Sequence, residues 1–216
     1  MINIIYEDNH LLVVEKPVNI PVQSDDSKDN DLLTILKAYI KEKYNKPNNV
    51  YLGLVHRLDR PVGGIMVFAK TSKAAARLSK QIQQHEFKKT YLAICCSNKL
   101  KKQDTLTNYL LKDHKTNMVK EDKKGKIAIL DYELLAVKND LSLVKINLKT
   151  GRSHQIRVQF SLIDAPLYAD QRYNKNAAKN KQIALFASSI SFKHPITNEE
   201  LTFTLEKPDR YPFNIF

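Results

Sequence analysis

Residues 56–71 constrain this 216-residue chain more than any other stretch, because they set a short charged turn between two apolar runs that are typical of strands. Asp59 stands at the centre of the turn, two residues after Arg57 and directly before Arg60, and a proline and two glycines follow within residues 61–64. Such residues favour a tight, exposed turn, and flanking guanidinium groups keep a carboxylate ionised. The pattern predicts a carboxylate presented for chemistry. An ordinary hairpin turn with solvated arginines is the alternative.

The charge balance indicates a polyanionic partner. The chain carries 35 Lys and Arg against 23 Asp and Glu, a net charge of +12, with a pI near 9.5. A merely soluble basic protein would have the same balance. Hydrophobic residues make up 43% of the chain, which is enough to bury a core. The two cysteines are the neighbours Cys95 and Cys96, a placement that favours reduced thiols. With neither a signal peptide nor a membrane span in the pattern, we expect a cytoplasmic protein.

Apolar periodicity predicts an α+β chain. We expect a helix from Asp31, a second helix capped by Ser72 and a third capped by Ser153. The predicted strands cover residues 2–6, 11–14, 50–55, 65–69, 91–96, 127–137, 141–148, 183–192 and 201–205, with further strands in the lysine-rich residues 99–126. The first two strands are predicted to form one hairpin, and residues 127–137 and 141–148 another. No internal repeat or low-complexity linker interrupts these segments, which indicates one domain.

A second motif, Gly151-Arg152-Ser153-His154-Gln155-Ile156-Arg157, follows the strand that ends near residue 148. Two arginines near a helix N-terminus, with its free backbone donors, make a corner suited to binding an anion. The spacing alone favours the alternative, a capped helix whose two arginines are solvated.

The sequences of these motifs resemble those of the RluA family of RNA pseudouridine synthases. The matching segments are residues 5–17, the run His56-Arg57-Leu58-Asp59-Arg60 with the strand that follows it, and residues 148–158; the likeness extends over about residues 2–208. The chain departs from the common family sequence at two places. Residues 61–64 lack a side-chain hydroxyl that the family commonly has there, and within residues 163–170 two family glycines are replaced.

The resemblance implies an α+β pseudouridine synthase fold. We expect a single catalytic domain over residues 1–216, with a mixed, mostly antiparallel central sheet flanked by helices, an active-site cleft across the sheet, and no separate N-terminal RNA-binding domain.

The resemblance also implies a catalytic set of Asp59, Tyr91 and Arg157. Asp59 is the essential residue, acting on the sugar as a nucleophile or as a base, two options that stay open. Arg157 pairs with Asp59 and keeps it anionic, and Tyr91 stacks on the target base and removes the proton from its C5 atom. Arg57 is the candidate to fill the gap that a flipped base leaves. The full set of predicted RNA-binding residues is His56, Arg57, Arg60, Arg152, His154, Arg172, Lys175, Lys179 and Lys181.

The expected activity is isomerisation of specific uridines in structured ribosomal or transfer RNA to pseudouridine. The reaction oxidises nothing and releases no group, so we expect neither a cofactor nor a metal, and we expect a monomer with RNA as its partner. Two alternatives remain: an RNA-binding protein that kept the fold and lost activity, and a nucleosidase that releases free uracil.

Overall fold

The computed structural model of the protein describes residues 2–25 and 29–216. Its helices are α1 (Leu32–Lys43), α2 (Ser72–Gln83) and α3 (Gln155–Leu162), with a short 3-10 helix over Phe213–Ile215. Its strands are β1 (Asn3–Glu7), β2 (Leu11–Lys16), β3 (Gly53–Leu54), β4 (Gly63–Ala69), β5 (Lys88–Cys95), β6 (Gln103–Lys112), β7 (Val119–Glu121), β8 (Lys126–Lys138), β9 (Leu141–Leu148), β10 (Leu185–Lys193) and β11 (Glu200–Thr204).

The chain divides into two compact units. The first comprises Met1–Phe87 and Ser189–Leu205, and the second comprises Lys88–Ser188 and Glu206–Phe216. Strand β10 begins in the second unit and continues into the first.

In the first unit β1 and β2 form the hairpin that the sequence predicts, and β2 pairs antiparallel with β4. Alternate residues of β2 and β4, among them Val13 and Val67, join Ala74 and Leu78 of α2 in one core cluster. Phe87 closes this core by stacking on Phe192 of β10, with ring centroids 5.1 Å apart. Strand β4 is buried along its whole length and therefore gives the loop before it a rigid base.

Side-chain caps start two of the helices. Helix α1 begins where the sequence predicts a helix, and there Asp31 Oδ1 accepts a hydrogen bond of 2.9 Å from the Thr34 N–H. For α2 the predicted cap, Ser72, is wrong: Thr71 is the N-cap, and its Oγ1 accepts from the Ala74 N–H at 3.2 Å. Ser72 is already the first helical residue, so the boundary shifts by one position.

The second unit is built on an antiparallel sheet in the order β5, β9, β8, β6, β7. The predicted hairpin of residues 127–137 and 141–148 is confirmed as β8 and β9. Tyr91 lies in the middle of β5, not at its start. The strand predicted over residues 50–55 shrinks to the two residues of β3.

Helix α3 packs on this sheet through buried amides as well as apolar contacts. The Phe160 ring lies 5.4 Å from that of Tyr132 on β8. Gln159 Nε2 donates to the Leu106 and Ala128 carbonyls at 3.1 and 3.2 Å, so it joins α3 to both β6 and β8. Because buried amides need partners, these bonds fix the rotation of α3 about its axis.

The predicted cap of α3, Ser153, is wrong. His154 occupies the N-cap position with a left-handed backbone, φ 50°, and makes no side-chain cap bond. Gln155 anchors the preceding turn instead: its Oε1 accepts from the Arg152 N–H at 3.0 Å and from the Thr150 hydroxyl at 2.8 Å.

Candidate active site

The Asp59 loop leaves β3 and returns as β4 within the first unit. The Asp59 carbonyl accepts the Val62 N–H at 2.9 Å, which closes a tight turn around Arg60 and Pro61. The Arg60 carbonyl in turn accepts the Asn19 N–H at 2.8 Å. These bonds fix the backbone that follows Asp59, whose side chain is partly buried.

Lys16 ties this loop to the N-terminal hairpin. Lys16 is only 1% exposed, and its ammonium donates to the carbonyls of Pro17, Arg60 and Val62 at 2.9, 3.0 and 2.8 Å. Burial lowers the pKa of Lys16 to about 8; the Asp59 carboxylate opposes that shift and the Arg60 guanidinium adds to it. Lys16 therefore binds two carbonyls of the turn after Asp59, those of Arg60 and Val62, and interacts electrostatically with the Asp59 carboxylate.

Close packing explains the glycine at the end of this loop. A Cβ built on Gly63 would lie 3.2 Å from the Lys16 carbonyl oxygen and 3.1 Å from Val18 Cγ1. A larger residue would push the loop away from Lys16. The glycine that follows, Gly64, has φ 124°, which other residues rarely adopt.

The basic residues of the loop have different environments. Arg57 is exposed, and Arg60 pairs with Asp25 at 3.7 Å and with Asp29. His56 Nε2 accepts the Val67 N–H of β4 at 3.1 Å, and its ring lies 5.4 Å from that of Phe87. His56 thus stabilises the loop exit, while its assignment to RNA binding stays a prediction.

Arg157 belongs to the second unit, where α3 buries it to 4% exposure. Its Nε and Nη2 donate to the two carboxylate oxygens of Asp170 at 2.8 and 2.6 Å, a bidentate pair with both side chains inaccessible. Asp170 Oδ1 also accepts the Arg172 N–H at 3.0 Å. Arg157 is therefore not the solvated arginine of the alternative interpretation. The predicted pairing of Arg157 with Asp59 stays a prediction.

Tyr173 connects the elements around this ion pair. Its ring faces the Arg157 guanidinium carbon at 5.2 Å, its hydroxyl lies 2.7 Å from His154 Nδ1, and it accepts the Val119 N–H of β7 at 2.9 Å. Burial raises the pKa of Tyr173. His154, predicted to bind RNA, is thus held against Tyr173.

Arg152 and the predicted basic loop lie at the surface of the same unit. Arg152 Nε donates to the Ile127 carbonyl at 2.9 Å, so one edge of its guanidinium is hydrogen-bonded to the protein backbone. The four loop residues are all exposed and follow directly after Asp170; they are Arg172, Lys175, Lys179 and Lys181.

Tyr91 is 7% exposed and lies on β5 opposite Ile146 of β9. Across the residues the structure describes, no three His, Cys, Asp or Glu side chains cluster closely enough to hold a metal ion. None of the helices in residues 2–25 and 29–216 is long and apolar enough to cross a membrane.

A family model described as RNA pseudouridylate synthase matches residues 10–162 of the chain. This range contains the Asp59 loop, Tyr91 and the whole of α3, including Arg157. The chain belongs to this family. The resemblance predicted from the motifs is thereby confirmed, and membership implies an RNA substrate.

Curated relatives agree with this family. The chain is 33% identical to the uncharacterized RNA pseudouridine synthase YhcT of Bacillus subtilis, over 92% of this chain and 66% of that protein. It is 32% identical to ribosomal large subunit pseudouridine synthase C of Buchnera aphidicola (92% and 65%) and 31% identical to synthase D of Zymomonas mobilis (96% and 69%). The chain therefore spans about two thirds of the length of these relatives.

Solved structures show the fold. Human RNA pseudouridylate synthase domain containing 4 superposes with a TM-score of 0.81 at 20% identity, over 95% of this chain and 88% of that one. Human RNA pseudouridylate synthase domain containing 1 gives 0.76 at 19% identity, over 97% and 85%. The predicted α+β pseudouridine synthase fold is confirmed.

Sequence reasoning missed the role of three residues: Lys16 beside the Asp59 loop in the first unit, and Asp170 and Tyr173 beside Arg157 in the second. Lys16 lies in residues 5–17, a segment that matches the family, but the sequence gives this lysine no role. Asp170 fell in the segment where the family glycines are replaced, 13 residues from its partner Arg157. Tyr173 carried no sequence signal beyond its place next to Arg172.

Proposed function

We propose that this protein isomerises uridine to pseudouridine in RNA and that Asp59 is the residue on which the reaction depends. In this reaction the bond from N1 to C1′ breaks, a bond from C5 to C1′ forms, the C5 proton leaves and N1 gains a proton. The observation that carries the proposal is the family match over residues 10–162, which includes an Asp59 loop held in place by a buried lysine.

The proposed catalytic residues keep the roles that the resemblance implies. Asp59 acts on the sugar as nucleophile or base, Arg157 sustains the anionic state of that carboxylate, and Tyr91 stacks on the uracil and takes the proton from C5. The geometry supports the role of Arg157, since Asp170 fixes two of its nitrogen atoms in one orientation. We propose that residues 1–216 act as one catalytic domain, because the family match continues across the boundary between the two units.

We propose ribosomal RNA of the large subunit as the substrate. Two of the relatives carry that substrate in their names, and the net charge of +12 suits a large polyanion. Exposed Arg57 and the basic loop after Asp170 are the proposed contacts with phosphates. Arg60, Arg152, His56 and His154 are the remaining proposed contacts.

Mapping pseudouridines tests the proposal. Large-subunit RNA and transfer RNA from a strain that lacks the protein are compared with RNA from the same strain complemented by wild type or by Asp59→Asn. We expect one or more large-subunit pseudouridines to disappear and to return only with the wild-type protein. Loss confined to transfer RNA would reject the substrate, and identical maps would reject the activity.

A reaction with purified protein distinguishes a pseudouridine synthase from a nucleosidase. A synthase retains all uracil in the RNA, whereas a nucleosidase releases free base. We expect turnover to be unaffected by EDTA and RNA binding to weaken steeply with salt, because many phosphate contacts release counterions. Loss of turnover in EDTA that added metal restores would contradict the expectation of a metal-free reaction.

A further inference from the structure

Lys89 lies on β5 two residues before Tyr91, on the same face of the strand. Thr90 between them points the other way, where its hydroxyl donates to Asn147 Oδ1 at 3.0 Å. The register of β5 with β9 is unbroken, with Lys89 opposite Leu148. The face that carries Lys89 and Tyr91 is therefore the buried face of this strand.

The Lys89 ammonium lies against the turn that leads into α3. A Cβ built on Gly151 would be 3.2 Å from Lys89 Nζ, so a glycine at this position leaves the ammonium room beside the backbone. Gly151 begins the segment that carries Arg152, His154 and Arg157. Lys89 thus lies between Tyr91 and the second sequence motif.

Within residues 2–25 and 29–216, Lys89 Nζ has neither a hydrogen-bond acceptor nor a carboxylate partner. Burial lowers the pKa of Lys89, and no charged side chain offsets this shift. Two buried cations elsewhere in the described residues do have partners: Lys16 has three carbonyls and Arg157 has a carboxylate. A partly buried charge without a partner is costly, and an anion is the group that relieves the cost.

We propose that Lys89 binds a backbone phosphate that flanks the target uridine while Tyr91 lies against the uracil; this rests on the proposed function. Positions i and i+2 of a strand are about 6–7 Å apart. A nucleotide places its phosphate one sugar away from its base, so one nucleotide can contact both side chains. A lysine ammonium is a compact point charge that suits a phosphate.

Removing the charge from Lys89 tests the contact. The matched control is Lys88→Met, because Lys88 is the exposed neighbour on the same strand. The probe is a ten-residue oligouridylate titrated at several salt concentrations. We expect Lys89→Met to raise Kd about tenfold and to reduce the salt slope by about 0.7, the value for one phosphate on a single strand. Lys88→Met should stay within about twofold.

Stability separates this role from a structural one. Because Lys89 has no partner to lose within the described residues, Lys89→Met should melt no lower than wild type, and Lys89→Gln should behave in the same way. A lysine that held the fold together would instead lower the melting temperature in both variants.

Neutralising the RNA gives the sharper test. Substrate fragments carry a methylphosphonate at either phosphate next to the modified uridine. We expect one of the two to weaken binding to wild type about tenfold and to leave binding to Lys89→Met unchanged. Additive losses with both fragments, or wild-type binding by Lys89→Met, would overturn the proposal.

Failure of this proposal and failure of the proposed function can be told apart. If wild type forms no pseudouridine but Lys89→Met loses oligouridylate binding, the result supports the phosphate contact and contradicts the proposed activity. If Lys89→Met and Lys88→Met form pseudouridine with the same KM, the result supports the proposed activity and contradicts the phosphate contact.

Discussion

Asp170→Asn tests the buried ion pair that orients Arg157. Both side chains are almost inaccessible, 5% and 0% exposed, and two hydrogen bonds of 2.8 and 2.6 Å join them. Asparagine has nearly the same shape but removes the charge and turns one acceptor into a donor that faces the guanidinium. A charge-assisted buried bond is lost, so we expect the free energy of unfolding to fall by about 3 kcal/mol.

For a chain of this length that loss lowers the melting temperature by roughly 6–12 °C, as read by circular dichroism. The control is Asp104→Asn, which breaks an exposed pair with Lys101 at 2.8 Å and should change the melting temperature little. Arg157→Met and the double variant complete the cycle, and the two changes should couple by more than about 1 kcal/mol. A shift no larger than that of Asp104→Asn, or strict additivity, would refute the buried pair.

Three further predictions follow from other groups. Hydrogen bonds from Lys43 and Lys70 lower the pKa of Glu7 to about 2 although burial opposes them, so Glu7→Gln should be less stable than wild type at neutral pH. The difference should shrink as the pH falls from about 4.5 towards 2, and a constant difference in urea titrations would be contrary evidence. Above pH 8 Lys16 loses its proton, and its amine can then donate to only two of its three carbonyls, so kcat/KM should fall while the unfolding free energy rises up to about pH 10.5. Lys16→Met should lack that alkaline limb, and an unchanged limb would assign it to another group. Tyr91→Phe should bind RNA normally but release tritium from C5 of uridine about 10²–10⁴-fold more slowly, and wild-type release would leave Tyr91 a packing residue.

Local sequence signals predicted the elements of the fold well. The hairpin of β1 and β2, helix α1, and the hairpin of β8 and β9 all follow from periodicity and turn residues. The predicted caps of α2 and α3 were wrong. At α2, Thr71 and Ser72 are both capping residues, and only tertiary context chooses between them. At α3 the cap is a left-handed His154, for which composition gives no signal.

The motifs placed the candidate residues but not their partners. Asp170 is 13 residues from Arg157 and lies outside the matched range of the family model, so no short-range pattern joins the two. Lys16 lies 44 residues from Arg60, and its contacts are to backbone carbonyls, which any sequence supplies. Contacts of this kind arise from the fold and cannot be deduced from spacing.

Asp59→Asn tests the central claim most directly. The variant removes the charge with almost no change of shape and leaves the bonds of Lys16 to the Arg60 and Val62 carbonyls in place. Purified wild type and variant are incubated with large-subunit ribosomal RNA, and pseudouridine is counted while RNA affinity is measured in parallel. We predict no pseudouridine above background in the variant, with Kd within about twofold of wild type because affinity rests on many phosphate contacts. Measurable turnover by Asp59→Asn would contradict the claim that this carboxylate carries the reaction.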